Sequence, residues 1–172
     1  MSASSAEPPT WTPAPWGDRA REAAALFNPA FLGVVICVAV QQYEQRSQVG
    51  MVLPVAFLVL PLVLHAETRV ALPRDTRTHI AVWVHRNPAI RAGFSGRAVA
   101  ITPLAQEAIR VGLRAGLLAL EGGRLRALRL LPAPPEATSE VLEIVSRAGL
   151  VGRWLGSAAD LATIFALLGV RP

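Results

Sequence analysis

Apolar side chains in this chain come in blocks, and the polar punctuation between the blocks repeats. Met51–Leu64, MVLPVAFLVLPLVL, holds no polar side chain but carries Pro54 and Pro61. Ala23–Val40, AAALFNPAFLGVVICVAV, has Asn28 as its single polar side chain. Both runs approach the length of a membrane span. Asn28-Pro29, however, is a helix-start pair: asparagine caps, and proline takes the first helical position, where its missing N–H costs nothing. A helix starting there keeps about 11 apolar residues, about 17 Å of rise, before the polar run Gln41–Arg46. Val49–Leu64 is similarly cut by Gly50, Pro54 and Pro61. Two buried helices are therefore expected, with a membrane hairpin as the alternative.

Asn87-Pro88 and Thr102-Pro103 repeat the pairing of a capping side chain with proline, and Ser157-Ala158-Ala159-Asp160 fits a capping box with a short acid. The pattern predicts helices near 29–46, 54–66, 76–86, 88–100, 103–119, 139–149 and 158–168, with Pro61 kinking or dividing the second. Residues 1–26, with MSASSAEPPTWTPAPW at their head, show no helical or strand period and read as a disordered Pro-rich tail. Residues 27–172 read as one domain, with a stiff linker at 132–138 around Pro132-Ala133-Pro134-Pro135. No basic start leads into a compact apolar core and a cleavage site, so no signal peptide is expected.

Between Leu117 and Leu131 the period changes. Gly122-Gly123 separates two short runs, and Arg124-Leu125-Arg126-Ala127 alternates with a period of two. Two adjacent glycines supply the positive φ angles of a tight hairpin turn. The predicted class is mainly α with a small β-hairpin: a winged-helix-like core with additional N- and C-terminal helices.

Composition narrows the chemistry. Hydrophobic residues make up 52% and charged residues 17%, so an apolar surplus has to be covered by a core, a partner or lipid. Val34, Val35, Ile36 and Val38 surround their helix, whose cover can come from its own chain or from another subunit. All 17 basic side chains are arginine. Without lysine there is no Walker-type nucleotide loop, Schiff base or pyridoxal site. Between Arg69 and Arg129 there are 11 arginines against three acids, a formal excess of eight, which favours an acidic partner. The lone Cys37 sits in an apolar run and reads as an inert core thiol in a reducing, cytoplasmic setting. Gly93-Phe94-Ser95-Gly96 is one residue short of a nucleophile elbow, and Ser95 reads as a helix surface residue. His79 and His85, six apart, do not share a helix face for a metal. His65 follows the long apolar run, where it could serve as an acid–base residue or cap a helix C-terminus. No enzyme activity, cofactor or metal is expected.

Two groups of side chains suit partners. Arg110 and Arg114 share a polar face with Glu107 ahead of the hairpin, and Arg124 and Arg126 lie on the wing. In a DNA-reading winged helix these would contact nucleic acid; a solvated face with Glu107 pairing to Arg110 fits as well. Arg153, Trp154 and Arg171 have the composition of interface anchors, although Trp154 also suits a plain core.

The blocks NPAFL (28–32), LPLVLH (60–65), LPRDTRT (72–78), GFSGRA (93–98) and GRWL…LATIFALLGVRP (152–172) resemble the middle component of three-component ABC systems, bacterial conflict modules related to Lamassu-type defence. The resemblance runs from about Asn28 to Pro172. It implies a small non-enzymatic adaptor between an SMC-like ABC ATPase and an effector, often a nuclease, held inactive until foreign DNA is sensed. DNA contact would then be indirect, through the complex. His65, Thr76, Arg77, Thr78, Arg97, Gly152, Arg153, Gly169, Val170, Arg171 and Pro172 match motif positions. Of these, His65, Arg77, Arg97, Arg153 and Arg171, with Trp154, are the expected partner-binding residues. A stand-alone winged-helix DNA-binding regulator is the alternative, and a membrane-hairpin protein the third reading.

Overall fold

The computed structural model describes residues 27–129, 137–158 and 160–171. The expected tail at 1–26 and most of the expected linker lie outside them. Eleven elements follow in chain order among the described residues: helix α1 (Pro29–Ser47), strand β1 (Met51–Val52), helices α2 (Leu53–Ala56), α3 (Val59–Val63), α4 (Ala66–Ala71), α5 (Ile80–Arg86) and α6 (Pro88–Arg114), strands β2 (Leu118–Glu121) and β3 (Arg124–Ala127), and helices α7 (Ser139–Gly156) and α8 (Leu161–Leu168). The protein is mainly helical with one small antiparallel sheet, as the sequence predicts.

α1 begins where Asn28-Pro29 places it, with the Ala30 N–H donating to Asn28 Oδ1 at 2.9 Å. The helix is the hub of the molecule, packed by α7, α6 and β3. Its cover comes from its own chain. Gly33 meets the backbone of Ala108 and Gly112 in α6, while Ala39 and Tyr43 meet α7. The α1–α7 crossing depends on Gly152: a Cβ there would sit 2.1 Å from the Ala39 carbonyl oxygen. Gly149 and Gly152 do not end α7, which runs seven residues past the expected Gly149.

The helix expected at 54–66 is divided, as Pro61 foretells, and the apolar run ahead of it starts as a strand. Met51 and Val52 are a strand paired with Leu125 and Arg124. Gly50 permits this close approach, because a Cβ there would lie 2.9 Å from the Leu125 oxygen. Pro61 divides the rest: it has no N–H for the Phe57 carbonyl, and the break between α2 and α3 falls at Phe57–Leu58. α3 is buried throughout. Among the described residues no helix is long and apolar enough to cross a membrane.

Four expected capping side chains act otherwise. His65 caps an N-terminus, not a C-terminus: the chain turns after α3, and the Thr68 N–H donates to His65 Nδ1 at 3.3 Å. Asn87 donates from Nδ2 to the Trp83 oxygen at 2.8 Å, closing α5 while making no cap bond into α6. Thr102-Pro103 starts nothing, since α6 continues through it for 27 residues. Val99, whose carbonyl loses its partner to Pro103, lies 71% exposed, where water can take the free acceptor. Thr102 Oγ1 donates to the Ala98 oxygen at 2.8 Å. The expected helix at 76–86 starts at Ile80, because Asp75 holds the Arg77 N–H in a turn at 2.9 Å and His79 caps at Nδ1. In the last connection Asp160 caps α8, accepting from the N–H groups of Ala162 and Thr163. Ser157 instead donates to the Trp154 oxygen.

The hairpin forms around Gly122 (φ 55°) and Gly123 (φ 75°). The sheet order is β1-β3-β2, all antiparallel, with Leu118, Leu125 and Met51 buried. The succession helix, strand, helices, hairpin is consistent with the winged-helix outline.

Candidate functional site

The expected partner residues do not form one patch. Trp154 is core: it is 3% exposed, its ring meets Trp83 edge-on at 5.4 Å and 83°, and Nε1 donates to the Thr78 oxygen at 2.7 Å. An exposed aromatic anchor at this position is corrected by that burial. Arg97 folds back along α6, donating to the Ile90 oxygen at 2.9 Å and lying over the Phe94 ring at 5.9 Å. Gly93 makes room for it, as a Cβ would lie 2.5 Å from Arg97 Nη1. His65 is occupied by Thr68. Arg153 donates to the Gln42 side chain across the α1–α7 seam. Arg171 is exposed beyond α8. Arg77 is exposed and paired with Asp75 through Nε at 3.0 Å and Nη2 at 2.6 Å. That hydrogen bonding holds the Asp75 carboxyl below its ordinary range and raises the Arg77 guanidinium.

The expected nucleic-acid residues divide. Arg110 and Arg114 are exposed one turn apart on α6. The wing arginines are engaged within the fold: Arg124 donates to the Gly50 oxygen at 3.0 Å, and Arg126 meets Glu44 at 3.1 Å and Glu121 at 3.7 Å. The Glu44 hydrogen bond is the main cause that raises the Arg126 pKa.

Two charged residues were missed by sequence reasoning. Arg69, 5% exposed, donates to the oxygens of Val63 (2.9 Å) and Leu64 (3.3 Å) and pairs with Glu140 at 3.2 Å. Its Nε lies 3.4 Å from Glu143 Oε2, an ion pair without hydrogen-bond alignment. The i, i+3 spacing of Glu140 and Glu143 was the available signal, but their partner lies 71 residues away from the first of them. Glu44 takes the Ala127 N–H at 2.9 Å, doing for β3 what β1 is too short to do. Cys37 is the inert thiol expected: it donates to the oxygens of Leu117 and Arg129, both at 3.3 Å, and burial, then Glu44, pushes its pKa up to about 11.

One concavity joins two of the sequence blocks. A pocket of about 210 Å³ lies between Arg46 at the end of α1, the 76–80 segment of LPRDTRT and its sequel, and Trp154–Ala158 from the GRWL end of α7. Among the described residues no group of three or more His, Cys, Asp or Glu is placed to hold a metal ion.

The model of the ABC-three component (ABC-3C) system Middle Component 3 family matches residues 16–172, all but the first 15. The chain belongs to this family. The match starts twelve residues before Asn28, so it reaches into the segment that the resemblance left out. No curated protein and no solved structure matches the chain. In this Middle Component 3 chain, the blocks that carried the resemblance are largely fold positions. Leu60–Val63 are buried, Gly152 sets the α1–α7 crossing, and Ile164, Phe165 and Leu168 are core. Gly169 closes α8 in the left-handed region at φ 69°. The motif arginines Arg77, Arg153 and Arg171 are exposed.

Proposed function

We propose that this middle component is a non-enzymatic adaptor that joins an SMC-like ABC ATPase to a toxic effector in a cytoplasmic, Lamassu-type defence complex. Membership in the Middle Component 3 family carries the reading, since a system of three components needs contacts between them. The exposure of the arginines at positions 77, 153 and 171 supports it. Guanidinium groups at a surface suit planar, bidentate capture of a partner's carboxylates.

Arg171 gives the test. It is exposed beyond the last helix, so Arg171→Ala should leave the melting temperature of the isolated chain within about a degree while weakening assembly with the ATPase and effector by about tenfold. Normal assembly by a variant that melts much earlier would make Arg171 an internal strut and remove the anchor role.

Arg110 and Arg114 beside the hairpin favour a second reading, direct DNA contact by a winged-helix-like core. Reversing both charges separates the two. An adaptor keeps most of its subunit capture, whereas a DNA-binding regulator loses retention on duplex DNA and the salt dependence that goes with it.

A further inference from the structure

The pocket between α1, the 76–80 segment and the end of α7 has an unbalanced inventory of polar groups. None of its ten lining residues is aspartate or glutamate. Arg46 makes no hydrogen bond or ion pair among the described residues, and the same holds for the hydroxyls of Thr76 and Thr78. Arg77 spends Nε and Nη2 on Asp75, which leaves Nη1 as a donor. His79 commits its Nδ1 lone pair to the Ala81 N–H, so Nε2 is its remaining polar atom. Two main-chain acceptors are already taken, the Thr78 oxygen by Trp154 Nε1 and the Trp154 oxygen by Ser157 Oγ. Ile80, Trp154 and Ala158 supply an apolar wall.

Cationic donors without a carboxylate among the lining residues suit a short acidic side chain. The volume, about 210 Å³, is below the size of about 300 Å³ at which drug-sized ligand pockets begin. A nucleic-acid backbone asks instead for a track of unpaired cations, and here Asp75 already neutralises one of the two arginines. We infer that the pocket receives a glutamate or aspartate side chain from an acidic segment of a protein partner, with Arg46 and Nη1 of Arg77 taking the carboxylate. The inference rests on the adaptor reading and gives it a docking point: LPRDTRT and GRWL, far apart in the chain, meet at the place where the partner's charge is held.

The test uses the full-length chain co-expressed with the ATPase and effector subunits of its own system, with each subunit's capture measured separately. Arg46→Glu places a carboxylate where the partner's would go. It should reduce capture of one subunit by about ten- to a hundredfold while leaving capture of the other unchanged. Arg46→Lys should retain part of that capture and leave the melting temperature of the isolated chain unchanged, while Arg46→Glu should lower it by no more than a few degrees, the cost of a carboxylate in the last turn of α1. Equal capture of both subunits by wild type and Arg46→Glu overturns the pocket and leaves the adaptor reading standing. Wild-type chain that captures neither subunit overturns both. Loss of retention on a duplex DNA oligonucleotide, with subunit capture intact in Arg46→Glu, assigns the site to nucleic acid and also overturns the inference.

Discussion

Arg69 shows how one side chain ties distant parts of this protein together. Its guanidinium closes the two carbonyls at the end of α3 and faces two carboxylates of α7, yet those carboxylates remain 64% and 44% exposed. The bonds to Val63 and Leu64 should therefore dominate. Arg69→Ala leaves two carbonyls without their donor and is expected to cost about 2–4 kcal/mol in denaturant unfolding. Glu140→Gln and Glu143→Gln should each cost less than about 1 kcal/mol, as exposed ion pairs do. Equal losses in all three variants would move the weight to the ion pairs. Cys37 offers a second test. Its pKa of about 11 against an ordinary 9.0 leaves the folded thiol about a hundredfold poorer in thiolate near pH 8. Native protein should alkylate at least that much more slowly than unfolded chain. Because the folded value is the raised one, this contribution to stability is present below about pH 9 and is lost as pH rises toward 11. The inert role of Cys37 was legible from its apolar neighbours. That of Arg69 was not, because a buried arginine has no local signature when its acceptors are main-chain oxygens.

At the scale of elements, the same dipeptide grammar marked two of three helix starts and failed at the third. Asn28-Pro29 opens α1 with a side-chain cap, Asn87-Pro88 opens α6 while the Asn87 side chain turns back to close α5, and Thr102-Pro103 lies inside α6. A side chain followed by proline offers a cap, but packing decides whether the chain takes it. The Gly122-Gly123 turn was readable because both positive φ angles are a local demand. β1 was not, since two residues carry no period and owe their pairing to β3 and to the missing side chain of Gly50. The α1–α7 crossing is where a single atom matters most. Gly152→Ala would place Cβ 2.1 Å from the Ala39 oxygen and force the helices apart, with an expected loss of about 3 kcal/mol or more. Gly149→Ala meets only side-chain atoms, the nearest at 3.5 Å, and should fall within about 1 kcal/mol of wild type. Thermal unfolding of the two variants compares them directly, and a Gly149 variant as damaged as the Gly152 variant would contradict this view of the seam.

For the whole molecule, the apolar surplus that first raised the question of a membrane is taken up internally. α1 is wrapped by α7, α6 and β3, and α3 is buried throughout. Family membership was legible because fold positions such as LPLVLH and IFALLGVRP keep a recognisable order. The candidate site was less so: Thr76, Arg77 and Trp154 were singled out separately, but Arg46 was not, and contacts between remote segments bring the four together. Fold and membership together describe a mainly helical middle component of an ABC-three component system. The most direct test is sizing chromatography of the ATPase and effector co-expressed with and without this chain. The adaptor account predicts one three-component peak with it and two separate peaks without it. Co-elution of ATPase and effector in its absence, with the chain running alone when it is added, would contradict the account.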